Sequence, residues 1–385
     1  MSLKKTSLSL SARALLSVER LFRAPRAATP PSILILEYLL PLGCCIHLTP
    51  VYEAIKRLSP GATITVATRG LGLSLLRHHT FVDHLVETPD PFASLSAASR
   101  ALRSELSRRS ISPELVLTGA SDQRTRIALL ALLSVPSVRG GFTIHSELYQ
   151  RPLAYDRNLS LIGNNLRLAT LIGTPVEHLE PRIFFSSANV ETAQSLVHSA
   201  NPEGRPLVVF VTQNSGGQLT GWHISRFAEV IRHTHNKLGC AVVYVGTEKD
   251  SAAIEEIRQA ADGIGVSLAG HTSVTELAAL LALSDATVSL DTGTMHVARC
   301  VGLPMVVLGP SWQRPLEWLP LGLPQVRILR GVDRDRKDVP AGYRLDEIEA
   351  PAVIAALEEL LIAYPPSAAS RAKRIEDNLS SVDHL

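Results

Sequence analysis

Cysteine is scarce and badly placed for chemistry that needs it in pairs. The four are Cys44, Cys45, Cys240 and Cys300; none forms a C-x-x-C and two are neighbours. That spacing excludes a disulfide framework and a cysteine zinc site, and it fits a reducing cytoplasm. Charge of one sign is lacking too. Thirty-eight basic residues face 36 acidic ones, for a net charge of +2. The basic excess of a nucleic-acid-binding domain is therefore missing. No apolar run approaches the roughly 18–20 residues of a membrane span. The best ones, Ile33–Leu36 and Met305–Leu308, have the length of buried strands. Ser7–Val18 is interrupted by Arg13, and no small-residue cleavage site follows, so a signal peptide is not expected. Glycine and proline, 24 of each, sit near average usage, which excludes collagen-like and low-complexity chains. No G-x-G-x-x-G follows the first apolar run, where Gly43 stands alone. That absence disfavours a dinucleotide-dependent oxidoreductase.

What is present is ample apolar material in a chain of 385 residues, 45% hydrophobic and 19% charged. Length alone predicts two or three domains. The first stretch stands apart: Lys4, Lys5, Arg13, Arg20, Arg23 and Arg26 face one acid, Glu19. With Ala14, Leu15, Leu16, Val18 and Leu21 on one face, it reads either as a basic amphipathic contact to anionic lipid or as a frayed, soluble extension ending at Pro30-Pro31.

From Ser32 strand and helix alternate. Strands are expected at Ile33–Leu36, Ala62–Thr68, Val82–Glu87 and Leu115–Thr118. Helices are expected from Pro50 with Thr49 as cap, and over Leu71–Arg77, Ala97–Ser107, Arg124–Leu133 and Tyr155–Ile172. The rhythm restarts after a junction near Gly173–Arg182. Strands follow at Leu207–Thr212, Ala241–Val245, Ser267–Ala269, Ala286–Leu290 and Met305–Leu308. Helices follow from about Ser225, over Asp250–Ala261, from Ser273-Val274-Thr275-Glu276 as a capping box, and over Met295–Val301 and Pro351–Tyr364. A polar tail comes after Pro365-Pro366. The pattern predicts α/β architecture with two parallel, doubly wound halves. The expected divisions are a basic extension over 1–31, a domain over 32–178, a second over 179–350, and a final helix and tail over 351–385. Ligands in such sheets bind at the carboxyl ends of the strands.

Three turns at that edge of the second half carry glycines and hydroxyls. Asp291-Thr292-Gly293-Thr294 follows a buried strand and opens a helix with Met295-His296. A helix start of this kind points N–H groups and a positive dipole end at an anion, and it suits a phosphate. Thr292 and Thr294 add hydroxyls, and His296 adds a hydrogen bond or a charge. The competing reading is a plain helix cap and a permissive glycine. Gly309-Pro310-Ser311 and Gln213-Asn214-Ser215-Gly216-Gly217 are the other two turns. Together they argue for a phosphorylated ligand. Glu248 either accepts from a ribose hydroxyl or serves as a helix N-terminal acid.

The stretch Ser289–Pro320 resembles the nucleotide-sugar motif of glycosyltransferase family 9, the ADP-heptose:lipopolysaccharide heptosyltransferases. The matching residues are Asp291, Thr292, Gly293, Met295, His296, Ala298, Gly302, Pro304, Gly309-Pro310, Trp318 and Pro320. Leu268–Leu277, with Thr272, is similar to a second family segment, and Leu42-Gly43 with Thr49-Pro50 to its first loop. The resemblance implies a GT-B fold: two Rossmann-like domains facing a central cleft, the first for the acceptor and the second for the donor. It implies inverting transfer from a nucleotide-diphosphate sugar to a lipid-linked or other glycan, with no required metal and no cofactor. Asn214, Ser215, Gly216, Trp222, Glu248, Thr272, Asp291, Thr292, Gly293, Thr294 and His296 are then the donor-site candidates. The family's first loop reads Leu-Gly-Asp, the Asp being its base. Here Cys44 stands at that position, so Cys44, Glu37 and His47 are the catalytic candidates. A family Lys before the loop tryptophan is replaced by Thr220-Gly221, for which His223 or His271 can compensate. The paired cysteines of many family C-termini are absent around Arg330–Leu345.

Active transfer is the favoured reading. The alternatives are a catalytically weakened relative that binds nucleotide sugar or partners, and a GT-B-type sugar-nucleotide epimerase. The expected location is the cytoplasm, with a peripheral contact to the inner membrane through the basic segment.

Overall fold

The computed structural model describes residues 31–38, 41–135, 137–214 and 221–385. The basic segment before Pro31 lies outside the described residues, as do Ser215, Gly216, Gly217 and Thr220.

The first sheet contains β1 (Ser32–Leu36), β2 (Thr63–Thr68), β3 (His84–Glu87), β4 (Leu115–Thr118), β5 (Val138–Phe142) and β6 (Arg151–Leu153). Their order is β3-β2-β1-β4-β5-β6, with every pair parallel. The helices between them are α1 (Leu42–Ile46), α2 (Pro50–Leu58), α3 (Leu71–Leu76), α4 (Leu95–Arg108) and α5 (Thr125–Ser134), with α6 (Leu161–Leu166) following β6.

The second sheet repeats the scheme. Its strands are β7 (Leu207–Val211), β8 (Ala241–Tyr244), β9 (Val266–Ser267), β10 (Ala286–Leu290), β11 (Met305–Leu308) and β12 (Val326–Leu329). Their order, β12-β11-β10-β7-β8-β9, is the first sheet's order read from the other side, again all parallel. The accompanying helices are α7 (Ser187–Ala200), α8 (Ile224–Asn236), α9 (Ser251–Ala260), α10 (Val274–Leu283), α11 (Gly293–Cys300), α12 (Pro315–Trp318), α13 (Ala350–Ala363) and α14 (Ala368–Asn378). Both sheets are doubly wound Rossmann-like sheets, as the alternating pattern predicts.

Continuous apolar strands explain the burial. All of β7, β10 and β11 is inaccessible, and so is β1 after Ser32. Helices cover both faces, and strands buried on both sides lose the alternation of half-exposed ones. The capping box at Ser273 forms as expected. Its Oγ accepts from the Glu276 N–H at 3.3 Å, and Glu276 accepts from the Ser273 N–H at 2.7 Å. Thr49 does not cap α2. Its backbone is already helical and its side chain makes no cap bond, because α1 and the turn after it precede α2 directly. The polar tail is also more ordered than its composition suggests, since it contains α14. Arg371 of α14 pairs with the buried Asp285 at 2.7 Å. Asp285 in turn accepts from the Leu207 N–H at 2.8 Å, at the start of β7.

Contacts divide the chain into two compact units. One holds β1, His47–Glu180 and His384–Leu385; the other holds Pro41–Ile46 and Pro181–Asp383. The short helix α1 thus groups with the second unit although it follows the first strand. Among the described residues no single helix is long and apolar enough to cross a membrane.

Candidate functional site

In the second unit the strand order reverses between β7 and β10, and both strands end at the same edge. This is the switch point where open α/β sheets bind ligands. The turn after β7 begins with Thr212, Gln213 and the half-buried Asn214. The turn after β10 is Asp291-Thr292, leading into α11. Thr287 and Ser289 of β10 spend their hydroxyls on main-chain carbonyls, so the strand presents the turn rigidly.

Asp291 is 6% exposed, and no side-chain hydrogen bond or ion pair reaches it from the described residues. Burial pushes its carboxyl up to about 6. Thr292 is the N-cap of α11 but makes no side-chain cap bond, and its Oγ1 is buried and unpartnered. Helix starts leave several N–H groups without intrahelical partners. An orphaned hydroxyl at the same point makes a cradle of donors. Gly293 and Thr294 are half-buried in the first turn. His296 is buried, and burial, then the nearby Arg299 charge, push its imidazole down to about 3. At neutral pH it is an uncharged hydrogen-bonding ring.

Helix α1 packs against α11 within this unit, and two glycines permit the approach. A Cβ at residue 43 would lie 2.6 Å from His296 Cδ2. A Cβ at residue 293 would lie 2.9 Å from Leu42 Cβ. Both distances are below van der Waals contact, so each position accepts glycine alone without a shift. This pairing is invisible in the sequence, where the two glycines are 250 residues apart. Cys44 and Cys45 are buried on α1, and no disulfide links any of the four cysteines.

The other two catalytic candidates belong to the first unit. Glu37 is buried just past β1, its N–H bonded to Ala67 O at 3.0 Å. His47 is buried, and its carbonyl accepts from Asn165 Nδ2 at 2.9 Å. Asn165 Oδ1 accepts from the Ala120 N–H at 2.8 Å, which pins the turns after β1 and β4 together.

The remaining donor-site candidates separate by environment. Glu248 is exposed at the end of β8, beside the Leu268–Gly270 turn, where a Cβ at Gly270 would lie 3.0 Å from Glu248 Cβ. The capping task there falls to Asp250, which accepts from the Thr247 N–H at 2.7 Å. Thr272 is half-buried two residues beyond that turn. Trp222 is a core residue. It is buried, its Nε1 donates to Ile348 O at 2.9 Å, and its ring meets Phe227 edge-on at 4.8 Å. Its side chain therefore supplies packing rather than an open polar contact. His223 is engaged by Asp346 at 2.5 Å and His271 by Ala269 O at 2.9 Å. The third turn, Gly309-Pro310-Ser311, has a brace that sequence reasoning missed. Arg330 Nη2 donates to the carbonyls of Pro310, Ser311 and Gln313. An isolated arginine after a short strand offers no signal for this.

Two doubly wound parallel units, the second with the unpartnered helix start at its switch point, have the fold of the GT-B class. The model of glycosyltransferase family 9 (heptosyltransferase) matches residues 124–331, more than half of the chain. The chain belongs to that family. Lipopolysaccharide heptosyltransferase 2 of Salmonella typhimurium is 32% identical over 165 residues, 41% of this chain and 47% of that protein. Its counterpart from Escherichia coli is 28% identical over 219 residues, 55% of this chain and 62% of that one. The aligned stretches thus span about half to three-fifths of these curated relatives. Among solved structures, a family 9 glycosyltransferase from Veillonella parvula superposes with TM-score 0.78 at 19% identity, covering 88% of this chain and all of that one. The E. coli ADP-heptose lps heptosyltransferase II gives 0.70 at 22% identity, covering 86% and 99%. At these identities the structural likeness speaks for the fold.

Proposed function

We propose that this chain transfers a heptose-like sugar from a nucleoside-diphosphate donor, ADP-linked, to a lipopolysaccharide-core or similar glycan, with inversion and without a required metal. The observation that carries the reading is the Asp291–His296 turn at the β7/β10 switch point, with its orphaned Thr292 hydroxyl at the start of α11. In the reaction a base takes the acceptor hydroxyl's proton as its oxygen bonds to the anomeric carbon. The bond from that carbon to the diphosphate oxygen breaks, and the electron pair leaves with the diphosphate. N–H groups at the start of α11, with Thr292 and Thr294, are suited to stabilise that developing charge. Cys44, Glu37 and His47 are the base candidates. Glu248 is suited to a ribose hydroxyl, with Asn214, Ser215, Gly216 and Thr272 completing the donor side.

Calorimetric titration with ADP, UDP and GDP, followed by transfer from ADP-heptose to a heptose-deficient core acceptor, tests this reading. Selective ADP binding with transfer is expected; failure to bind any of the three would overturn it. A second reading is favoured by the thiol at position 44, which stands where the family's first loop carries a carboxylate. It is a relative that binds nucleotide sugar without transferring it. Binding without transfer, unaltered by replacing Cys44, Glu37 and His47 together, would select it.

The basic segment before Pro31 is proposed as a peripheral membrane contact on the cytoplasmic side. Its six basic residues, at about 1 kcal/mol each near an anionic surface, should give salt-sensitive binding to phosphatidylglycerol vesicles. Equal vesicle binding by a variant lacking residues 1–31 would count against it.

A further inference from the structure

Asp285 and Asp291 flank the same strand, β10, and are almost equally buried, at 4% and 6% exposed. Asp285 has a cation and a backbone donor, Arg371 and the Leu207 N–H. Asp291 has neither among the described residues. A carboxylate buried without a partner is costly as an anion. This one sits one residue before the orphaned Thr292 Oγ1 and the start of α11, the place proposed above for a diphosphate.

We propose that Asp291 takes up a proton as the donor diphosphate binds, and then holds it as a neutral carboxylic acid donating a hydrogen bond to a phosphate oxygen. The inference rests on the donor-site reading and adds its pH control. One proton passes from solvent to the Asp291 carboxyl on binding and returns on release; no other bond changes.

The charged and titratable neighbours agree. On α11, His296 is neutral, and Arg299, largely buried one turn on, acts on His296. On α1 the groups are the buried thiols Cys44 and Cys45. On α10 it is Glu276, held in its own capping box. Thr212, Gln213 and Asn214, which follow β7, are not ionisable, and the charged groups at the turn after β11 are Arg314 and Arg330, the latter donating to the carbonyls of Pro310, Ser311 and Gln313. Burial is the cause of the Asp291 displacement, to about 6 before any ligand arrives. A diphosphate brought beside it adds like-charge repulsion and drives the carboxyl further toward its protonated form. The protonated form is a donor where the ionised form only accepts. Donation by the neutral acid replaces that repulsion with a hydrogen bond.

The test is calorimetry of the full chain with ADP-, UDP- and GDP-glucose, diphosphate diesters that carry no phosphate proton near neutral pH. Titrations run from about pH 5.5 to about 8.5 in buffers of differing ionisation enthalpy. The expected result is uptake approaching one proton near neutrality, with affinity falling up to about tenfold per pH unit on the alkaline side. Asp291→Asn, which mimics the neutral acid, should bind with no proton uptake and a flat pH profile, and Asp291→Ala should bind more weakly. Wild-type binding without proton uptake would overturn the proposal, as would unchanged linkage in Asp291→Asn. Should that variant not fold, the wild-type buffer dependence decides alone. Absence of binding by every probe at every pH would remove the donor-site reading itself.

Discussion

Between about pH 7 and about pH 4, His296→Gln and Asp291→Asn should shift stability in opposite directions. His296 is held down to about 3 against 6.5 for a free imidazole. Below 6.5 the unfolded chain binds a proton that the folded chain refuses, so stability present above that value is lost as pH falls. Asp291 is raised to about 6 against 3.8. The folded chain therefore takes its proton first, and this group's stability is fully present below 3.8 and lost as pH rises through 6. At about 1.4 kcal/mol per pH unit, each effect is worth roughly 3 kcal/mol at pH 4. In the wild type the two nearly cancel. Removing the imidazole unmasks the acid-stabilising Asp291, and removing the carboxyl unmasks the acid-labile His296. The two variants should therefore diverge by about 5 kcal/mol over this range, while the other carboxylates move both alike. All three tryptophans, Trp222, Trp312 and Trp318, lie in the second unit, so urea unfolding followed by their fluorescence reads the relevant unit. Parallel pH profiles for the two variants would show that neither group is buried as described.

Gly43→Val should leave a folded protein with transfer reduced by about a hundredfold or more. The new Cβ alone would come within 2.6 Å of His296 Cδ2 and 3.0 Å of Nε2. The ring belongs to a residue only 4% exposed, and a close-packed interior resists its displacement. Relief must come from α1 moving off α11. The reciprocal contact of Gly293 with Leu42 and the placement of Cys44 would move with it. Overpacking of this kind costs about 1–3 kcal/mol in stability. A displacement near 1 Å beside a reacting centre costs about a hundredfold in rate. Thermal unfolding and kcat/KM measured on the same preparation separate the two effects. Near wild-type turnover would mean that the α1–α11 contact is irrelevant to the chemistry. His296→Ala in the same chain opens room, and it should recover part of the lost stability without recovering the rate.

Much of the fold is legible because its signals are local. The central strands are apolar runs such as Leu207–Val211 and Met305–Leu308, which have no stable place except between two helical layers. Ser273 and Glu276 announce a helix start four residues long. Elements that the sequence conceals rely on partners far along the chain. β5 carries Arg139, Gly140 and Gly141, and the sequence pattern places no strand there; pairing with β4 makes it one. α14 is polar and reads as a tail. It is held by Asp285, which lies 86 positions before Arg371.

The candidate site divides along the same line. Asp291, Thr292, Gly293, Thr294 and His296 are contiguous, so the sequence by itself determined the turn, the helix start and the family. Trp222 shows the limit, because a tryptophan in a loop-like context offers no sign that its N–H is spent on Ile348 within a core. Tertiary structure alone decided that α1 joins the second unit through two glycines, and that Cys44 is thereby grouped apart from Glu37 and His47. It also decided the charge states at the site. A carboxyl near 6 and an imidazole near 3 are products of desolvation, and desolvation depends on what the rest of the chain packs around a side chain, not on its neighbours in sequence.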